Sequence, residues 1–360
     1  LQRRLMLLPW FLLARGWSYQ QHGVSPVVPI LTEDGQNVVF PRGTWQRREL
    51  AKRLPIDQPW PSNANIGKVL ERYGLNRRAL AHSIFMPARI ATGVYLIGQD
   101  HAPGSNLTYL IDCGAEGLAI VDPTFESEVE RTLINVEKCG YARKDVRWVL
   151  NTHCHFDHAM ADRKFRALGA EIIVHEADAA AIEKGTEVTG YFNLVKLRGK
   201  EVPPEFPRCK VDRRLSDGEN LRLGNKVFHV IHTPGHTPGS CSFLLQVDGK
   251  NLLISGDTVF YDGMLGWQGN PYADNRQYLA SMEKLQKFTL AGLPIRWDVL
   301  LPGHGAIALD HAYLDIEKDR EMLTGDIAAG GEVTIAPYSR PEYRRRMYGR
   351  PASGAEPAPR

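Results

Sequence analysis

The chain has 360 residues, of which 43% are apolar and 24% are charged, and its formal net charge is +3. A chain of this length can bury a sizeable core, and its composition is that of a folded globular protein rather than a disordered, collagen-like or coiled-coil one. The small net charge, without a basic stripe interleaved with aromatic residues, gives no reason to expect nucleic acid as a partner.

The five cysteines are scattered and form no C-x-x-C pair. Their pattern argues against a disulfide framework and favours a reducing compartment, so we expect a cytoplasmic protein. The opening run "LQRRLMLLPWFLLARGW" has arginines ahead of apolar residues, as in an export signal, but it lacks a clear cleavage site and contains Pro9. A core or docking helix and a truncated export signal both stay open for this run. It is too short to be an integral membrane span.

Residues 1–88 read as an N-terminal extension that is basic and partly helical, with helical patterns in "TWQRRELAKRL" and "NANIGKVLERYGL". We expect this extension to pack on the main domain or to mediate self-association into a homo-oligomer. Residues 326–360 are rich in proline and small residues, which predicts a tail that is at least partly disordered.

Between residues 89 and 325, short apolar runs alternate with helical patterns. Three strand candidates, a helix and two strand–helix units come first. After a polar, proline-containing stretch at about 186–213, strands return in "NLRLG", "KVFHVIHT", "SCSFLLQV" and "NLLISGD", with a helix in "NRQYLASMEKLQKF" and a strand in "WDVLLPGHG". Two strand-rich halves, each followed by helices, predict an α/β domain in which two sheets pack together with helices outside, an αββα sandwich.

The segment "VLNTHCHFDHAM" crowds three histidines and one aspartate into a short turn after a predicted strand. In an extended segment alternate side chains point the same way, so His153 and His155 can face one ion. Asp157 and His158 then face a second ion position. Cys154 alternates away from the two flanking histidines and is predicted to pack.

Three more candidate ligands follow other predicted strands: His236 in "HTPGHTPGS", Asp257 in "LLISGDTVF" and His304 in "DVLLPGHG". Glycine and proline flank each of them, as is typical where the backbone turns sharply and holds a side chain beside a ligand. Each residue alone has an ordinary structural interpretation, but seven in this order indicate a metal centre. The other histidines in or beside strands carry no such motif and are not assigned: His175, His229 and His232.

This ordered motif set, over residues 89 to about 310, resembles the metallo-β-lactamase-fold hydrolase superfamily, which includes glyoxalase II thioesterases, lactonases and zinc β-lactamases. The resemblance implies that His153, His155 and His236 hold a first metal, that Asp157, His158 and His304 hold a second, and that Asp257 bridges the two. It also implies that Asp122, in "IVDPT", supports the site from outside the ligand set.

Imidazole and carboxylate ligands without a thiolate favour two Zn²⁺ ions, although Fe or Mn is also compatible. Such a pair would hold a hydroxide at neutral pH that attacks the carbonyl of a small-molecule substrate. Asp157 is expected to orient this hydroxide or to carry its proton. Tyr261, in the aromatic segment after Asp257, is expected to donate a hydrogen bond to a carbonyl oxygen, with ordinary packing as the alternative.

The substrate class is less determined by the sequence. "GNPYADNRQYLASMEKL" resembles zinc β-lactamases with an all-histidine first site, whereas "SGDTVF" is closer to glyoxalase II. The expected function is therefore a dinuclear zinc-dependent hydrolase, with a β-lactam or lactone favoured slightly over a thioester. The alternatives are a glyoxalase II-like thioesterase, a mononuclear iron persulfide dioxygenase, and a metal-binding interaction module without turnover.

Overall fold

The computed structural model describes residues 30–31, 37–38, 87–99, 106–198, 203–263, 265–304, 307–309 and 311–328. In the N-terminal extension, strands β1 (Ile30–Leu31) and β2 (Asn37–Val38) form an antiparallel pair that contacts the first strand of the main domain. The apolar opening run and the two predicted helical patterns of the extension lie outside the described residues.

Seven strands form the first sheet and lie in it in chain order: β3 (Ala88–Ala91), β4 (Val94–Gln99), β5 (Leu107–Asp112), β6 (Leu118–Val121), β7 (Val146–Leu150), β8 (Glu171–His175) and β9 (Arg213–Leu215). The pairs from β3 to β6 are antiparallel, and those from β6 to β9 are parallel. Parallel neighbours need crossover connections, and helices supply them. These are α1 (Val129–Lys138), α2 (Phe156–Ala159), α3 (Asp162–Ala167), α4 (Glu176–Lys184) and α5 (Tyr191–Arg198).

The second sheet follows in the chain. Its strands are β10 (Asn220–Leu223), β11 (Lys226–His232), β12 (Cys241–Val247), β13 (Lys250–Gly256) and β16 (Val299–Pro302). Between β13 and β16 the chain forms helix α6 (Asn275–Gln286) and a separate hairpin of β14 (Thr289–Leu290) and β15 (Leu293–Pro294), and helix α7 (Tyr313–Ala328) follows β16. The sheet order is β10-β11-β12-β13-β16, and only the β13–β16 pair of this sheet is parallel.

The two sheets share one apolar core, and helices cover their outer faces. Because side chains alternate along a strand, β13 places Leu252 and Ile254 in the core between the sheets and Leu253 in the cluster beneath α6 and α7. In the first sheet, Val121 faces the same central core, whereas Ile120 lies in the cluster beneath α1 to α5. These four layers confirm the predicted αββα sandwich.

The helices differ from prediction in three places. The segment "AMADRKFRALG" contains only the end of α2 and the separate helix α3, because the Ala161 N–H donates to the Thr124 carbonyl at 2.9 Å and leaves the helical pattern. Helix α5 lies in the stretch that was predicted as polar and irregular, and it is held by the buried side chains of Tyr191 and Leu194. Helix α7 was not predicted, and it runs past the expected domain boundary at residue 325 to Ala328. None of the helices in the described ranges is long and apolar enough to cross a bilayer.

Candidate metal centre

The strand directions bring the seven predicted ligands to one edge of the sandwich. Strands β13 and β16 are parallel neighbours, so the residues that follow them, Asp257 and His304, lie side by side. Strand β11 runs in the same direction, because both β11 and β13 are antiparallel to β12, and the loop after it carries His236. The four candidates from the first sheet lie on the loop that follows β7 and on α2.

A first group consists of three buried imidazoles, those of His153, His155 and His236. One ring nitrogen of each lies within 4.8 Å of the others, and the ring centroids are 4.4 to 5.0 Å apart. The Nε2 atoms of His153 and His236 are buried and have no hydrogen-bond partner. Such orphaned atoms cost free energy unless something else binds them, and a shared cation would do so.

A second group consists of Asp157, His158 and His304, and Asp257 lies between the two groups. The Asp257 Oδ2 atom is 3.3 Å from Nε2 of His236 and 3.3 Å from Nε2 of His304. The Asp257 Oδ1 atom is buried without a hydrogen-bond partner, 3.5 Å from His158 Nε2. One carboxylate thus faces histidines of both groups.

The pKa shifts of the clustered histidines also fit a cation-binding site. Burial, reinforced by the neighbouring His158 and His236 rings, holds the pKa of His153 and of His155 well below the usual range. Both rings are therefore neutral and free to donate a lone pair at neutral pH. Burial opposes protonation of His158 too, but the carboxylates of Asp257 and Asp122 outweigh it and raise the pKa of His158 to about 10.

The raised pKa of His158 reflects the carboxylates around it, and a divalent ion that binds among them would take the place of the His158 proton. The Nε2 atoms of His158 and His304 are only 3.1 Å apart. A methyl group at Gly303 would lie 2.7 Å from His158 Cε1 and still closer to the Asp257 carboxylate, so glycine keeps this space open. The nitrogen and oxygen donors fit two borderline divalent cations such as Zn²⁺.

Two outer side chains orient the ligands on the first-sheet side. Asp122 Oδ2 is 3.0 Å from His158 Nδ1 and accepts a 2.8 Å hydrogen bond from Thr152 Oγ1. The same Thr152 oxygen is 3.0 Å from His153 Nδ1. If both Nδ1 atoms donate, the Nε2 atoms of His153 and His158 face the pocket as lone-pair donors. This arrangement is the supporting role expected for Asp122.

Two amide side chains on the other side were missed in the sequence. Gln268 contacts His236 Nδ1 at 3.4 Å, and Asn270 contacts His155 Nε2 at 3.5 Å. If each ring donates its outward N–H, the amide must present its oxygen to that ring. Asn270 also contacts Asn193 of α5 at 3.1 Å. Both amides lie in "GWQGNPY", within the aromatic segment that follows Asp257.

Tyr261 is placed differently from its predicted role. Its buried side chain belongs to the apolar cluster that contains Ile231, Leu285 and Trp297, beneath α6 and α7. This placement matches the packing alternative and does not support the predicted hydrogen bond to a substrate carbonyl. Phe260 is the residue of this segment whose ring stacks on His304, with 6.3 Å between the centroids.

The remaining predictions concern residues that were not assigned as ligands. Cys154 is buried in the cluster beneath α1 to α5, and burial, followed by the Asp178 charge, raises the pKa of its thiol well above the usual range. His175 and His232 stack on each other at 4.1 Å between centroids, and His229 contacts Asn220. Within the described ranges, none of these residues joins a group that could hold a metal.

The fold and this cluster define a metallo-hydrolase architecture with a histidine- and aspartate-rich centre. Residues 101–291 match the family model of the metallo-beta-lactamase superfamily, and the chain belongs to that superfamily. The predicted resemblance is therefore confirmed.

Several curated proteins are similar in sequence. The acyl-coenzyme A thioesterase MBLAC2 of Gallus gallus is 32% identical over 164 residues, which is 42% of this chain and 54% of that protein. The hydroxyacylglutathione hydrolase of Anaeromyxobacter dehalogenans is 29% identical over 258 residues, 71% of this chain and 76% of that protein. The match thus spans about half the length of the thioesterase and three quarters of the hydrolase.

Among solved structures, the native FEZ-1 metallo-beta-lactamase from Legionella gormanii superposes with a TM-score of 0.54 at 22% identity, covering 69% of this chain and 97% of that chain. The metallo-beta-lactamase BJP-1 of Bradyrhizobium japonicum superposes with a TM-score of 0.52 at 22% identity, covering 68% of this chain and 93% of that chain. At these identities the likeness supports the fold alone.

Proposed function

We propose that this protein is a two-metal hydrolase, with zinc as the metal, and that it cleaves the acyl–sulfur bond of a thioester. The observation that carries the two-metal part is the position of Asp257, whose Oδ2 atom is 3.3 Å from a histidine of each group. A carboxylate in that position could help to hold a cation on each side of it. Two zinc ions, when bound, would polarise an acyl carbonyl and acidify a water molecule.

The chain's own residues divide the remaining work. Asp257 is 7% exposed and is confined between histidines, so its role is to hold the metals. The Asp157 side chain is 22% exposed and its Oδ2 atom lies 3.4 Å from His304 Nε2. Because Asp157 is the more exposed of these two carboxylates, we assign it the proton transfer. It takes a proton from the attacking water and returns it to the leaving sulfur.

The thioester assignment is supported by the curated relatives, which carry the names acyl-coenzyme A thioesterase and hydroxyacylglutathione hydrolase. The β-lactamase structures are about 20% identical and support the fold rather than the reaction. A thioester therefore moves ahead of the β-lactam or lactone that the sequence motifs favoured. The persulfide dioxygenase alternative needs a single iron, which leaves the Asp157, His158 and His304 group without a role.

The test is a substrate panel combined with metal analysis. Purified protein loaded with zinc is assayed with an acyl-coenzyme A, S-lactoylglutathione, nitrocefin and an acyl-homoserine lactone, with free thiol as the readout for the first two. We expect two zinc ions per chain and thiol release. Asp157→Asn should lower kcat by about 100-fold or more, as is usual for loss of a general base.

One iron per chain with oxygen uptake on glutathione persulfide would overturn the proposal. Turnover of nitrocefin or the lactone without thiol release would overturn the thioester assignment but keep the two-metal hydrolase. Full metal occupancy without turnover of any compound would favour a binding module.

A further inference from the structure

Asp178 is a buried carboxylate in the first turn of α4, outside the ligand set. Its side chain is 0% exposed, and it lies among apolar neighbours of the cluster beneath α1 to α5, such as Ala179 and Ile182. Burying a carboxylate costs free energy unless hydrogen-bond donors satisfy its oxygens. The position of these donors therefore indicates what the residue does.

Three hydrogen bonds satisfy Asp178, and they come from two different loops. Its Oδ2 atom accepts from the Cys154 N–H at 2.9 Å and from the Thr237 hydroxyl at 2.7 Å. Its Oδ1 atom accepts from the Gly239 N–H at 2.7 Å. A side chain at Gly239 would place its Cβ 2.5 Å from Asp178 Cγ, so the carboxylate and the loop fit closely.

Two of the three donors are next to a residue of the three-imidazole group, and the third, Gly239, lies three positions after His236. Cys154 lies between His153 and His155, and Thr237 directly follows His236. Asp178 therefore binds both segments that supply this group. The backbone N–H groups of Cys154 and Gly239 can only donate, so a carboxylate suits this position better than an amide or a hydroxyl.

We propose that Asp178 is a positioning residue that sets the distance between the two histidine loops, so that His236 meets His153 and His155 around one ion. The inference rests on the metal centre of the proposed function, and it concerns the first metal position. Asp122 acts on the opposite side, where it orients the rings of His158 and, through Thr152, of His153.

The test is Asp178→Asn with metal affinity as the readout. An amide cannot accept from all three donors, and its NH₂ group faces at least one N–H. We expect zinc at the three-imidazole group to bind about 10- to 100-fold more weakly, the usual cost of losing an outer partner, with a smaller effect on the second ion. Competition with a chelator gives the two affinities, and cadmium NMR of the substituted protein shows which of two resonances is lost.

Three further variants distinguish a positioning role from a general effect on stability. Thr237→Ser keeps the hydroxyl and should retain wild-type zinc affinity, whereas Thr237→Val should lower it about 10-fold. Asp162→Asn is the matched control, because Asp162 is also fully buried and accepts from Asn151 at 2.7 Å, but it does not bind the His236 loop. It should lower the melting temperature without selective loss of the first ion.

Wild-type affinity at both positions in Asp178→Asn would overturn the positioning role while leaving the two-metal hydrolase intact. Equal losses in Asp178→Asn and Asp162→Asn would overturn it as well, because a general loss of stability would then explain both. If Asp178→Asn does not fold, Thr237→Val decides, and unchanged zinc affinity there would contradict the proposal. A wild-type protein that binds no zinc would remove the proposed function and this inference together.

Discussion

Asp122 and His158 are joined by a 3.0 Å contact between Oδ2 and Nδ1, and both side chains are buried. The Asp122 backbone has a positive φ of 51°, which is uncommon outside glycine. The same carboxylate accepts the Thr152 N–H and hydroxyl, both at 2.8 Å. One aspartate therefore fixes the start of the ligand loop and the orientation of a ligand within it.

We predict that Asp122→Asn weakens both metal positions. The amide would lose at least one bond to Thr152 or His158, so zinc affinity should fall about 10- to 100-fold at the second position and less at the first. Chelator competition on the purified variant measures both. Thr152→Val is the comparison variant, because it removes the link to His153 and one hydrogen bond to Asp122 but keeps the contact between Asp122 and His158. It should therefore act mainly on the first position; the same profile for both variants would contradict this division.

A second prediction compares two histidines of one segment. His236→Ala removes a ligand of the three-imidazole group, so the protein should retain about one zinc per chain and lose turnover. His232→Ala removes a ring that contacts the Pro238 carbonyl at 2.8 Å and stacks on His175, outside the metal groups. It should keep two zinc ions. Elemental analysis with kinetics gives both results, and equal metal loss would refute the ligand assignment.

A third prediction concerns the space beside His158. In Gly303→Ala the new methyl group would meet His158 Cε1 at 2.7 Å and press on the Asp257 carboxylate. Overpacking at a rigid site costs about 1–3 kcal/mol, and here the ligands themselves must move. We expect loss of the second zinc and of most activity. Gly325→Ala is the control, since a Cβ at Gly325 in α7 meets nothing within 4 Å and zinc binding should be unchanged.

A fourth prediction is the pH dependence of stability. Burial, and then the neighbouring His232 ring, lower the pKa of His175 to about 4, with Asp217 opposing this and Lys284 adding to it. Between the unfolded value near ~6.5 and this folded value, only the unfolded chain binds the proton. The free energy of unfolding should therefore fall as the pH decreases from ~6.5 to ~4, by about 1–2 kcal/mol after allowance for solvent screening.

Urea unfolding of wild type and His175→Phe across this range checks the point. The phenyl ring can keep the stacking on His232 but does not titrate, so the variant should lose this part of the pH slope. The variant also loses the 3.3 Å hydrogen bond that the Ala177 N–H donates to His175 Nδ1. This loss should lower the free energy of unfolding by the same amount at every pH above ~6.5. An unchanged slope in the variant would assign the pH dependence to other groups.

The seven candidate ligands could be predicted because each lies in a short motif after a strand, and strand direction then brings such residues to one edge. Gln268 and Asn270 could not, because an amide in a loop has many ordinary roles and only the fold brings it to a ligand. The role of Asp178 could not be predicted from the sequence either, because its partner Thr237 lies 59 positions away.

Tyr261 was predicted at the site because it closely follows Asp257, and its real environment depends on a helix that was not predicted. Asp319 of α7 accepts the Phe260 N–H at 2.6 Å, which holds this segment against α7. Tyr261 then packs among the apolar side chains below. Proximity in sequence was a poor guide here because long-range packing determined which way the segment turned.

The two sheets come from successive halves of the chain, since β9 ends at Leu215 and β10 begins at Asn220. Within the described residues, each set of three side chains that could hold a metal takes two residues from the first half and one from the second. These sets are His153, His155 and His236; His153, His158 and Asp257; and Asp157, His158 and His304. A bound cation would accordingly act as a reversible cross-link between the two halves, in addition to the short connection, the apolar interface and the Asp178 hydrogen bonds that join them. If the connection between β9 and β10 is cleaved, the two fragments should stay associated more firmly when zinc is bound than after zinc has been removed with a chelator.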